Sequence, residues 1–188
     1  MKRRQALQNV ALLLGGTIIG GNLFLAGGCK PSTPTVEKLM EPEMQSLLAE
    51  IAETILPKTA TPGAKEAGVG SFIPVMVRDC YTVEQQKVFL DGITTIEKLS
   101  KEKFGNSFEK ISPQQRTELL TLLDKEQKEY QDKKEKQAPD HYFRMMKQLT
   151  LLGFFTSEAG ATKALRYVAV PGRYDGCIDY KKGDRAWA

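Results

Sequence analysis

One histidine, one tryptophan and three cysteines occur in 188 residues, and these scarcities remove whole classes of chemistry. A c-type haem needs CxxCH, and an iron–sulfur cluster usually needs three or four cysteines. No CxxCH occurs, and with Cys29 at the end of the N-terminal leader only Cys80 and Cys177 remain, 97 positions apart. A dinucleotide site needs a glycine-rich turn between a strand and a helix. GGTIIGG lies near the N-terminus, GVGSF follows no strand-like stretch, and no P-loop occurs. No segment alternates apolar and polar residues with period two, and no internal repeat is present. His141, in PDHYF, is the only histidine available to pair with a neighbouring acid, Asp140. The simpler reading has Asp140 stabilising a helix start, with His141 partly exposed beside it. Carboxylate pairs such as Glu50 and Glu53 fall on a helix surface, where solvation is their ordinary fate. Ser157, in TSEAG, reads as a cap. No catalytic or metal-ligating residue is assigned.

What is present begins with a leader, MKRRQAL, followed by the apolar stretch ALLLGGTIIGGNLFLAGG over residues 11–28. Six glycines dilute that stretch, which suits a cleavable signal better than a membrane anchor. Arg3 and Arg4 suggest the export route that carries folded proteins, although Ala6 stands where Phe is commonest. AGGC followed by KPSTPT looks like a bacterial lipoprotein signal, with Cys29 the lipidated residue. Ala26 occupies the position where Leu is usual. Two or three acyl chains on Cys29 give stable anchoring, where one is marginal. The other readings are a plain cleaved signal or an uncleaved anchor. The expected location is the periplasmic side of a bacterial membrane.

Residues 1–28 hold three basic groups and no acidic ones, so the remainder carries 24 basic against 23 acidic residues, a net charge of about +1. The basic character belongs mostly to the leader and gives no support for a nucleic-acid partner. The remaining 160 residues suffice for one domain. Residues 29–40 read as a lipidated Pro/Ser/Thr tether. With Cys29 lipidated, Cys80 and Cys177 form an even pair in an oxidising compartment, a candidate disulfide. The alternatives are two unpaired thiols or a bond to a partner chain.

The pattern over residues 41–165 is helical, and the fold expected is all-α, with five or six helices. Met44, Leu47, Leu48, Ile51 and Ile55 follow helical steps between Pro42 and Pro57. Residues 59–73 read as a long loop, and a short helix is expected from Phe72 to Tyr81 despite Pro74. Thr82 with Gln85, and Ser112 with Gln115, are capping-box signatures. The first opens a helix with the stripe Val88, Phe89, Ile93, Ile96 and Leu99. The second opens one carrying Leu119, Leu120, Leu122 and Leu123, which runs into DKEQKEYQDKKEKQ, a solvated helix end or exposed loop. After Pro139 comes a helix with an apolar face of Tyr142, Phe143, Met146, Leu149, Leu152 and Phe155. Ser157 begins a shorter segment, and residues 166–188 form an irregular arm.

Three stretches carry a resemblance: ETILPKTATPGAKEAGV at 53–69, GFFTSEAG at 153–160 and RYVAVPGRYDGCIDYKKGDRAWA at 166–188. Together they resemble the gluconate 2-dehydrogenase subunit 3 family. The resemblance implies a non-catalytic small subunit of a membrane-associated sugar or sugar-acid dehydrogenase. It also implies a large partner of the glucose–methanol–choline type that carries FAD and performs the oxidation, with electrons often passing on to a cytochrome c subunit. In that light Arg173, Tyr174, Tyr180, Arg185 and Trp187 are candidate partner contacts, since arginines and aromatics are enriched at interface hot spots. Folding back onto their own domain is the other reading of these five. The alternative function is a free-standing helical lipoprotein that binds a small molecule or polysaccharide.

Overall fold

A computed structural model describes residues 35–170, 172–173 and 175–188. The chain divides into Met1–Thr33 and Pro34–Ala188, and all described residues belong to the second unit. Cys29, Arg3, Arg4 and Tyr174 lie outside the described residues.

The described chain is all-α, as its patterning predicts, and no strand occurs among the described residues. Helix α1 spans Pro42–Ile55, α2 Val69–Cys80, α3 Val83–Phe104, α4 Pro113–Lys133 and α5 Tyr142–Thr156. Short 3₁₀ turns at Glu37–Met40 and Phe108–Lys110 and a π turn at Gly160–Ala164 complete the domain. Both capping boxes form: Thr82 and Ser112 each accept the amide of the glutamine three residues on, and each glutamine side chain returns a bond. These satisfy amides that the first turn otherwise leaves unpaired. At the other end of α3, Gly105 closes the helix in the left-handed conformation.

Helix α5 lies at the centre and touches each of α1, α2, α3 and α4. The core joins Leu48 and Ile51 of α1, Ile73 and Val77 of α2, and Phe89 and Ile96 of α3 to Leu119 and Leu123 of α4. Phe143, Met146 and Leu149 of α5 complete it. Each fully buried side chain of this size contributes about 1.5–3 kcal/mol.

Three sequence expectations need correction, and a fourth is narrowed. The segment read as tether, 29–40, is not all tether: the turn at Glu37–Met40 belongs to the domain, and Leu39 is fully buried. Helix α2 begins at Val69 rather than Phe72, because Gly68 adopts φ 74° and launches the helix directly from the loop. The charged run after Leu123 stays helical to Lys133 and is mostly exposed, the solvated helix end that was one of its two readings. On α5, Leu152 and Phe155 are exposed, while Phe154 and Thr150 are buried. A helix turns about 100° per residue, so Phe155 stands roughly 120° from Phe143 and Phe154 only about 20° from it. Steps of three alone drift off the buried face.

Asp124 joins the last two helices, receiving Lys147 of α5 and, at 2.9 Å, Lys128 of its own helix. Burial pushes its carboxyl up, but the bonds from the two lysines outweigh this and hold it at about 2, below the ordinary 3.8. A lowered carboxyl pKa contributes stability that is present above the unfolded value and lost as pH falls from about 4 towards 2. Asp124→Asn is therefore expected to cost about 1–2 kcal/mol at neutral pH and to flatten the acid limb of stability. Urea unfolding across that range checks this, and an unchanged acid profile would contradict it.

Candidate functional site

The three stretches singled out in the sequence meet at one end of the domain. The first is the loop after α1. Pro57 cannot continue the helix, so the chain leaves at Leu56, whose amide still bonds Ala52 O at 2.8 Å. Glu53, in the last turn of α1, then reaches into the loop. Its Oε1 accepts the Lys58 amide at 2.9 Å and its Oε2 the Lys65 amide at 2.8 Å. A Cβ on Gly63 would collide with this carboxylate, which explains the glycine of TPGA. Leu56 O accepts the Ala64 amide at 3.0 Å, and Ala64 is fully buried.

One turn back, Glu50 accepts Lys65 and Arg116, and Arg116 also donates to the carbonyls of Phe108 and Glu109. Burial pushes the Glu50 carboxyl up, yet the Lys65 bond and the Arg116 charge bring it below the usual range. The expectation that Glu50 and Glu53 are merely solvated fails, because the loop they hold folds back over α1.

The second stretch ends α5. The ring of Phe72 lies against Gly153. Ser157 is the cap it looked like: its hydroxyl donates to Phe154 O at 2.6 Å and accepts the Gly160 amide at 3.0 Å. Gly160 sits so close over the Phe154 carbonyl that a side chain there would clash. The π turn that follows lies beside the first loop, with Lys163 3.9 Å from Glu66, and Glu66 also pairs with Lys58 at 2.9 Å. Glu66, Ala67, Ser157, Glu158, Thr162 and Lys163 border a hollow of about 290 Å³.

The third stretch is the arm, pinned at both ends to this place. The Arg166 amide donates to Ala186 O at 2.7 Å, the Ala188 amide returns to Arg166 O, and the Arg166 guanidinium covers the Trp187 ring at 4.7 Å. Arg185 donates to the carbonyls of Thr162 and Lys163 at 2.7 and 3.1 Å. Of the five candidate contacts, Arg185 and Trp187 thus engage their own domain, although Trp187 remains half exposed. Arg173 pairs with Asp175, Tyr180 projects with 76% of its surface exposed, and both lie between the pinned ends. Cys80 and Cys177 are both free and exposed, so the candidate bridge is not formed. Cys80 closes α2, whereas the arm is fastened to the π turn, and Cys177 rides on its exposed middle.

His141 is also corrected. It is buried and is itself the cap of α5, its Nδ1 accepting the Phe143 amide at 3.2 Å. Asp140 instead receives Lys134, Gln131 and Arg144. Sequence reasoning chose the usual capping carboxylate, and only the neighbouring ion pairs divert it. The His141 Nε2 faces Glu126 at 3.6 Å. Burial lowers the imidazole pKa and outweighs the opposing Glu126 charge. Among the described residues no group of three His, Cys, Asp or Glu side chains is placed to hold a metal ion.

The family model for gluconate 2-dehydrogenase subunit 3 matches residues 42–172, more than half of the chain. No curated protein and no solved structure matches.

Two outcomes are expected. Glu53→Gln removes the charge from both loop bonds and hands one exposed amide to water, costing about 1 kcal/mol. Hydrogen exchange at the Lys58 and Lys65 amides should quicken, and unchanged protection would contradict the role given to Glu53. For His141, a lowered pKa means stability is full above the unfolded value near 6.5 and falls as pH drops below it. His141→Asn keeps a capping acceptor and should remove that slope in thermal unfolding between pH 7 and 5.

Proposed function

Because the chain belongs to the gluconate 2-dehydrogenase subunit 3 family, we propose that it is the non-catalytic small subunit of a membrane-associated sugar dehydrogenase. The family description makes it a subunit of a gluconate 2-dehydrogenase type of complex. In this reading the oxidation belongs to a glucose–methanol–choline-type flavoprotein partner carrying FAD, which delivers electrons onward to a cytochrome c subunit. The Arg3–Arg4 leader takes both folded chains across the membrane, and acylated Cys29 then holds them at the periplasmic side. The small subunit supports folding, co-export and anchoring of the large one.

The observation that carries the reading is how the polar groups of the three stretches are used. Glu53, Ser157 and Arg185 all bond backbone atoms with their side chains, the Arg166 side chain covers Trp187, and all four hold segments in place. An acid–base or nucleophilic site instead needs a reactive group with a partner poised on it. Those groups support a shaped surface, which suits assembly.

Affinity capture of the tagged full chain from detergent-solubilised membranes, followed by an absorbance spectrum, tests this. A co-purifying large chain with the bands of oxidised flavin is expected. Sugar oxidation by the chain alone would overturn the proposal. A lone, colourless protein would favour a free-standing lipoprotein that binds a small molecule or polysaccharide.

A further inference from the structure

The chain's single histidine caps its central helix. His141 is buried, and its Nδ1 accepts the Phe143 amide at the start of α5, the helix that touches all four others. Capping is ordinarily done by serine, threonine, asparagine or aspartate, whose oxygens still accept in mild acid. An imidazole nitrogen accepts only while it is unprotonated. The bond from Phe143 therefore fixes the neutral tautomer. The lone pair is on Nδ1 and the proton on Nε2, which faces Glu126 at 3.6 Å. The nitrogen left to take up a proton is the capping atom itself.

The surroundings decide what that proton does. From α4, Glu126 and the ring of Tyr130 face the imidazole, and on its own helix the Tyr142 ring lies 4.3 Å away. Asp140, the adjacent carboxylate, is held by Lys134, Gln131 and Arg144. On the α3 side, uncharged Gly92 lies against Tyr142. A proton on Nδ1 sets two donors, Nδ1–H and the Phe143 N–H, against each other. It also places a cation at the positive end of the helix dipole. Glu126 attracts that cation from its Nε2 side and cannot restore the lost acceptor.

Tyr142 leaves the start of the helix ready to loosen. Its ring rests on Gly92, yet its hydroxyl is enclosed with no hydrogen-bond partner among the described residues. A buried hydroxyl without a partner opposes the closed arrangement. Phe143 and Met146 are buried in the core and mark where any loosening stops.

We propose that His141 is a pH switch at the start of α5. Neutral, it caps the helix and keeps Tyr142 seated on Gly92; protonated on Nδ1, it uncaps the helix and releases His141 and Tyr142 while the remainder stays packed.

The test is a titration of the purified full chain, without a polyhistidine tag, from pH 8 to 5. Nitrogen NMR of the one imidazole reads which nitrogen carries the proton. Hydrogen exchange, corrected for intrinsic rates, reads the Phe143 and Met145 amides. Nδ1 should be unprotonated at pH 8, and the midpoint should fall below the ordinary 6.5 because burial disfavours the cation. Protection of Phe143 should drop about tenfold with the same midpoint, while that of Leu149 holds. Glu126→Gln removes the charge that favours the cation, so it should move both midpoints to lower pH together. His141→Asn should keep Phe143 protected across the range; should it fail to fold, Glu126→Gln carries the test.

Phe143 protection that stays constant while His141 titrates overturns the proposal, as does a proton on Nδ1 at pH 8. The same loss of protection in His141→Asn would assign it to another group. Protection lost along all of α5 at once would make His141 a contributor to global stability alone. Either result overturns the local switch.

Discussion

One carboxylate orders the functional end of this domain. Glu53 sits in the last turn of α1 and accepts two backbone amides from the loop that follows. Charge-assisted bonds of this kind are about twice as strong as neutral ones. They close the loop so that Gly68 turns into α2 where Phe72 can meet Gly153 of α5. The direction of α5, and so the position of the π turn beyond it, depends on that seam. The arm is fastened to the π turn by Arg185 and to Arg166 by backbone bonds. Without the bonds from Glu53, the loop that leads into α2 loses its fastening to α1.

The rest of the fold follows ordinary helical economy. Capping boxes start α3 and α4, a left-handed glycine ends α3, and a continuous apolar core surrounds α5. Charged groups stitch the periphery: Arg116 to Glu50 and to two carbonyls, Lys147 to Asp124. These contacts are partly buried, so they contribute more than the fraction of a kcal/mol typical of fully exposed pairs.

Much of this was legible in the sequence, and the misses share a cause. Caps, prolines and apolar spacing act locally, and they identified all five helices and both capping boxes. What failed required knowledge of the surroundings. His141 became the cap because Lys134, Gln131 and Arg144 occupy Asp140. Leu39 was counted with the tether because Val36, Leu39 and Met40 span only one turn of apolar spacing, too short to mark a helix, yet it lies fully buried. Glu50 and Glu53 looked solvated because their partners are loop amides and a distant arginine. The face of α5 was misjudged by its strict three-residue spacing, which drifts from the buried Thr150 and Phe154 to the exposed Leu152 and Phe155. The three family stretches were recognisable as strings, but their convergence on one end could only be seen in the fold.

The proposed subunit role turns on this end of the domain, where the loop after α1, the end of α5 and the arm meet. Hydrogen exchange on the small subunit, free and within its purified flavoprotein complex, tests it most directly. The account predicts that protection gained on assembly concentrates in the second half of α5 and in residues 166–188, with α3 and α4 unchanged. Protection gained along α3 and α4, with none at α5 or the arm, would contradict it.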